Sequence, residues 1–367
     1  MRPVFALVLL VLLGLRATAA VEPFYLGTMT GKSGSKGIYY GTLDPETGKL
    51  GPVTLAAVAK DPGFLALSSD KKFLVAALDQ SVGSFQLEPD GKLTALNEKP
   101  SGGDGSCHVS LDSSGRVAFV ANYGGGSIAA FDVAENGVIG KRFALVPFSG
   151  SGPDPVRQKK PFGHSIYPDP QGKFVYACDL GTDSIWIFGL DPSASRLTPA
   201  NPPSAKVPPG SGPRHLAFSP DGRLVYVVNE MGLSVTTFAR DPVSGALTPR
   251  GTVPALFPGK ASGHDTAAEI CLHPYGRWLY ASVRGCDVIA VFAVAADGSL
   301  KLIQNVPSVA KFPRGIAVDP SGRWLISAGQ NDSRIAVLAI DPATGLLTAT
   351  DQAATVGSPI CVLFTGK

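Results

Sequence analysis

Four residues, His164, Arg214, Glu230 and Arg284, bring together the side chains needed to bind an anion and move a proton. A histidine exchanges protons near neutral pH without special tuning. Two arginines stay protonated and can hold a carboxylate, a phosphate or a developing oxyanion with paired N–H groups. A carboxylate can act as base if its pKa is raised, or it can orient the histidine. Arg214 and Glu230 alone would also suit a plain salt bridge at a hairpin end, worth roughly 0 to 1 kcal/mol. Their recurrence with His164 and Arg284 at matching places favours a site.

Those places are defined by a repeat. FLALSSDKKFLVAALD, HVSLDSSGRVAFVANY, HSIYPDPQGKFVYACDL, RHLAFSPDGRLVYVVNE, EICLHPYGRWLYASVR and RGIAVDPSGRWLISAGQ each join two apolar strands through a turn rich in Asp, Pro, Ser and Gly. The turn glycines are Gly115, Gly172, Gly222, Gly276 and Gly322, with Lys71 in that place in the first copy. A second hairpin with period-two alternation follows each, as in SVTTFARDPVSGALT and RIAVLAIDPATGLLT. A period of about 45 to 55 residues with four strands per unit marks a propeller blade. The predicted fold is all-β: a seven-bladed β-propeller of four-stranded antiparallel blades. SPICVLF near the C-terminus has no partner of its own. Residues 359–364 are therefore expected to form the innermost strand of the first blade, pairing the N- and C-terminal strands and removing the open edge.

Counting from each turn glycine, position minus eight begins an inner strand and position plus eight ends the next. The two should lie side by side at one mouth of the central channel. Minus eight holds Gly63, Cys107, His164, Arg214, Ala268 and Arg314; minus seven holds Phe64, His108, Ser165, His215, Glu269 and Gly315; plus eight holds Asp79, Tyr123, Leu180, Glu230, Arg284 and Gln330. His164, Glu230, Arg214 and Arg284 are assigned as catalytic candidates, and His215, Arg314 and Tyr123 as substrate-binding ones. His108 is assigned a structural role and His264-Asp265 a solvated loop. Asn122, Asp179 and Asn229, all at plus seven, carry donors suited to Ca²⁺; they are assigned instead to bonding the turns that follow. No metal and no cofactor is assigned. Two long connections, 149–163 and 252–269, are expected to wall or cover the mouth.

Composition narrows the function classes. The net charge of +3 is small and scattered, and no nucleic-acid-binding spacing occurs. No GxSxG elbow, HExxH helix or Walker loop is present. Residues 1–20, MRPVFALVLLVLLGLRATAA, combine Arg2, an apolar run and a small-residue cleavage site, the pattern of a secretory signal peptide. Residues 21–367 are expected to form a single exported propeller domain, with no membrane span after signal removal. Five cysteines without a CxxC fix no disulfide pattern.

The pieces HSIYPDPQGKFVYACDLGTDSI, GPRHLAFSPDGRLVYVVNE and AAEICLHPYGRWLYASVRGCDVIAVF resemble the seven-bladed propeller lactonases, which include propeller-type 6-phosphogluconolactonases and 3-carboxy-cis,cis-muconate lactonizing enzymes. The likeness extends over the whole mature chain. It implies a lactone hydrolase that opens a sugar-acid lactone, its substrate a small-molecule lactone or a carboxylate- or phosphate-bearing compound, with its site on His164, Arg214, Glu230 and Arg284; a monomer is expected. Base-activated water and arginine stabilisation of the oxyanion would open the ring. The chain departs from the family's Pro-His-x-His at Pro161-Phe162-Gly163-His164. Two alternatives stand beside this reading: a muconate-type lactonizing enzyme, and a non-catalytic exported propeller that binds a ligand or protein.

Overall fold

The computed structural model describes residues 21–31 and 33–366; the expected signal peptide, residues 1–20, lies outside them. Twenty-eight strands form seven four-stranded antiparallel sheets arranged as blades around a central channel. The inner strands of blades 2 to 7 are Phe64–Leu67, Ser106–Leu111, Gly163–Pro168, Pro213–Phe218, Thr266–Leu272 and Pro313–Val318. In blade 1 the inner strand is the C-terminal Pro359–Phe364, paired antiparallel with Glu22–Thr28. The lone apolar strand at the end of the sequence thus closes the ring, as its lack of a partner required.

The turn between the first and second strands of each blade explains the repeat. Gly115, Gly172, Gly222, Gly276 and Gly322 all adopt φ between 67° and 75°, the left-handed region that costs glycine least. Lys71 takes the same conformation at φ 58° without that advantage. In blades 3, 4 and 7 an aspartate opens the turn, and its carboxylate accepts from the two backbone N–H groups that restart the chain: Asp112, Asp169 and Asp319.

The core is not one mass but seven apolar seams, each between neighbouring blades. The seam that completes the circle packs Phe24, Leu26 and Leu43 of blade 1 against Ile326, Ala328, Ile335 and Val337 of blade 7. Polar latches cross four seams in one rotational sense. Tyr176 Oη donates to Gly245 O (2.8 Å), Tyr226 Oη to Gly298 O (3.3 Å), Tyr280 Oη to Gly345 O (3.0 Å) and Trp324 Nε1 to Pro45 O (3.0 Å). Each acceptor lies in the outer hairpin turn of the next blade. Tyr176 also accepts from Arg240 Nε at 3.0 Å, and Arg240 forms a fully buried pair with Asp169.

Candidate active site

A β-bulge at the top of the inner strands sets the geometry. In blade 4 Gly163 pairs with Asp179 and Ser165 with Cys178, which leaves His164 as the extra residue. Arg214, Cys107 and Arg314 are the extra residues in blades 5, 3 and 7. In blade 6 the shift falls between Ala267 and Ile270 and takes in Ala268 and Glu269. Positions minus eight and plus eight therefore meet at a bulge, not as a regular cross-strand pair. The bulge turns two successive side chains toward the channel where a regular strand would turn one. Arg214 and His215 accordingly both line the cavity.

The cavity holds about 460 Å³ and is lined by all seven sequence-assigned residues: His164, Arg214, Glu230, Arg284, His215, Arg314 and Tyr123. Glu230 is its hub. Oε2 accepts from Arg214 Nε at 3.1 Å and Arg284 Nη2 at 3.0 Å, and Oε1 from Arg157 Nη2 at 2.6 Å. His164 Nε2 lies 4.0 Å from Oε2. Arg214 Nη1 also donates to Ala268 O, and Arg284 Nη2 to Ala267 O, so backbone carbonyls fix both guanidiniums. Among the described residues Arg314 meets only a neutral partner, Gln330 Oε1, at 3.4 Å. Four guanidiniums thus gather near the ionised Glu230, and three further carboxyls, Asp61, Asp79 and Glu269, also line the cavity.

The same crowding sets protonation. Burial alone would raise the Glu230 carboxyl, but Arg284, Arg214 and Arg157 outweigh it and hold the group down to about 2. The raised pKa that would make Glu230 a neutral-pH base is not what its surroundings provide. Burial, with Arg214 and the other cations, pushes His164 well below the usual imidazole range, so its ring is neutral; Nδ1 is buried without a protein partner. Burial lowers Arg284 to about 10, still protonated at neutral pH. Glu269 is the opposite of Glu230. Burial pushes it up to about 7 against the pull of Arg214, the Ile270 N–H and Arg314.

Two residues of this constellation stand outside the sequence-stated set of candidates. Glu269 occupies a minus-seven position, beside His215 and not at the minus-eight or plus-eight places of the catalytic candidates. Arg157 belongs to no repeat position. It comes from the long connection before His164, where the buried Gln158 next to it donates from Nε2 to Leu180 O and Asp183 Oδ1, both at 2.8 Å. Gln158 anchors the loop and Arg157 reaches inward. The signal in the sequence was a loop bearing Arg157, Lys159 and Lys160; which cation points inward depends on that anchor.

Other assignments resolve individually. His108 packs beneath the cavity against Phe64, Tyr167 and His215, with ring centroids 4.2, 4.5 and 5.2 Å away. Leu180 is buried in a short 3₁₀ turn, Leu180–Thr182. Of the connection 252–269, expected to wall the mouth, Glu269 alone among the described residues lines the cavity, and it belongs to the inner strand Thr266–Leu272. The connection's Ala255 and Leu256 enter the seam between blades 5 and 6, and Asn305 clasps it there through Phe257 N and Ala255 O. Asn122 and Asn229 donate to Ser127 and Ser234 just after their turns, and Asp179 accepts from Gly181 N and Thr182 Oγ1. Phe162 stacks beside Tyr123 at 4.9 Å, and Tyr123 meets His164 edge-on at 5.3 Å. An aromatic ring behind Tyr123 replaces the family's first histidine.

The chain was compared with known proteins. The family model described as lactonase, 7-bladed beta-propeller, matches residues 23–364. A 6-phosphogluconolactonase of Bacillus subtilis is 32% identical over 346 residues, covering 93% of this chain and 97% of the relative. A solved putative 6-phosphogluconolactonase of Bacteroides fragilis superposes with a TM-score of 0.88 at 33% identity, covering 95% of this chain and 99% of that one. The periplasmic gluconolactonase of Pseudomonas aeruginosa does so with a TM-score of 0.88 at 30% identity, covering 95% and 99%. With a matching ring of blades and a likeness running from end to end, the chain belongs to the seven-bladed β-propeller lactonase family.

Proposed function

We propose that the protein hydrolyses the lactone of a sugar acid, in the manner of the 6-phosphogluconolactonases it resembles. One observation carries the reading: an uncharged, buried His164 stands beside a cluster of guanidiniums held in place by a single carboxylate. Neutral His164 accepts a proton from a water, which attacks the lactone carbonyl. Negative charge grows on the carbonyl oxygen, and Arg214 and Arg284 stabilise it without reorganising, because Glu230 and backbone carbonyls already fix them. Glu230 works as an organiser of arginines, not as the base. Arg314, which meets no carboxylate among the described residues, donates to the oxygens of the substrate. Tyr123 and His215 bound the remaining space.

The protein works outside the cytoplasm in this reading, supported by the residues 1–20 pattern and by the periplasmic gluconolactonase among its structural relatives. An unphosphorylated sugar lactone then suits it better than a phosphorylated one. The working unit in this reading is the monomer, whose closed ring of seven blades carries the cavity. The test is lactone hydrolysis by the mature protein over a panel that includes gluconolactone and 6-phosphogluconolactone. Arg284→Ala should lower the rate by about 100- to 1000-fold, the loss typical of an oxyanion donor. Equal rates for the variant and the wild type would overturn this reading and favour the binding-protein one.

A further inference from the structure

We propose that Glu269, oriented by His215, is the acid that protonates the ring oxygen as the opened lactone departs. The proposal rests on the lactonase reading above and adds the half of the reaction that reading leaves open. Water attack places a hydroxyl on the carbonyl carbon and gives its proton to His164. Collapse of the tetrahedral intermediate then breaks the bond to the ring oxygen, which leaves as an alkoxide and must gain a proton to become a hydroxyl. Expulsion of an alkoxide needs such a donor far more than expulsion of a stabilised anion.

The geometry singles out Glu269. His164, His215 and Glu269 stand on three successive inner strands of the funnel and all line the cavity. The His164 and His215 rings are 5.2 Å apart, and His215 Nδ1 lies 2.8 Å from Glu269 Oε1. Oε1 also accepts from Ile270 N at 3.0 Å. With His215 in the tautomer that carries its proton on Nδ1, both groups donate to Oε1 and the carboxylic acid proton belongs on Oε2, which takes no hydrogen bond from the described residues. Glu269 itself is 8% exposed. The other carboxyls that line the cavity are engaged elsewhere: three guanidiniums surround the oxygens of Glu230, Lys60 pairs with Asp79 at 2.7 Å, and Asp61 Oδ1 accepts from Thr30 N and Oγ1. The charged and titratable groups facing the pair are Arg214, Arg284, Arg314, Glu230, His108, His164, Tyr167, Cys271 and Cys361. Burial keeps Glu269 protonated up to about pH 7, so the acid form exists where the enzyme would work.

Glu269→Gln keeps the shape and removes the proton. On gluconolactone, whose leaving group is an alkoxide, the variant should lose about 100-fold or more in kcat with KM little changed. On dihydrocoumarin, whose leaving group is a phenolate, it should lose under about 10-fold. The wild-type rate should fall as pH rises through about 7, and the variant should lack that limb. His215→Phe removes a hydrogen bond to the ionised carboxylate and should move the limb to higher pH. Infrared difference spectra of the free proteins give a readout independent of turnover: a carboxylic acid band titrating near pH 7 in the wild type and absent from Glu269→Gln. Near-ultraviolet dichroism checks that the variant is folded. No such band, or equal losses on the two lactones, overturns the proposal. So does an active wild type matched by its variant, which leaves the lactonase reading intact. A wild type inert on both lactones overturns that reading, and this one with it.

Discussion

Replacing Glu230 by glutamine should destabilise the protein by an amount that can be worked out from its surroundings. Glutamine has the size of a protonated glutamic acid and carries no charge, so the variant mimics the acid form of the site. The carboxyl is held at about 2 where its ordinary value is 4.5. At 1.36 kcal/mol per pH unit, the folded protein prefers the anion over the acid by about 3 kcal/mol. Glu230 is only 5% exposed, so solvent screening takes little from that figure. It also matches the cost of leaving buried charges without a partner, typically about 3 to 5 kcal/mol. The sign with pH follows from the depressed value. The stabilisation is complete above pH 4.5 and is lost as pH falls toward 2. Urea unfolding of wild type and Glu230→Gln, compared at pH 7 and at steps down to pH 3, should show a gap of about 3 kcal/mol that narrows with acid. A gap below about 1 kcal/mol at pH 7, or one that stays constant down to pH 3, would refute the view of Glu230 as the ionic hub.

Three further outcomes are expected. Tyr226→Phe removes one seam-crossing hydrogen bond and should cost about 1 kcal/mol; Tyr176→Phe also strips a partner from the buried Arg240 and should cost about 1 to 3 kcal/mol, both read by urea unfolding. Gly181→Ala would drive a methyl group into the Lys160 carbonyl, displacing the loop that carries Arg157. It should lower kcat/KM by about 10-fold or more, because misplaced site groups are costly to rate, and thermal stability should fall as well, because the atoms that must give way are backbone. A chain ending at residue 358 loses the inner strand of blade 1 and should give no soluble monomer, as judged by size-exclusion chromatography and dichroism.

The fold was legible because its turns repeat. Gly172, Gly222 and their counterparts mark a left-handed corner that few other residues adopt readily, and alternation on either side gives strands of known facing. Even the closing strand could be placed, since 359–364 had nowhere else to pair. The positions of the cavity residues followed from the same counting. The bulge did not, because a one-residue shift leaves no trace in composition, yet it is what lets Arg214 and His215 face the same space. Division of labour between the carboxyls was also hidden. Glu230 and Glu269 look alike in the sequence, and only the three guanidiniums around one and the single imidazole beside the other separate them. Arg157 was unreadable for a further reason: its place depends on Gln158, and a loop anchor has no periodicity. The latch tyrosines sit four residues after their glycines in three copies, but an aromatic residue inside a strand reads as ordinary core.

Closing blade 1 with Pro359–Phe364 has a consequence for the timing of biogenesis. The innermost strand of the first sheet is made after all the other strands of the ring, so no nascent chain shorter than residue 359 can cover the exposed edge of Glu22–Thr28. Blades 2 to 7 can assemble as they emerge, while the circle stays open until residues 359–364 arrive. Such a late commitment keeps the ring from closing on fewer than seven blades.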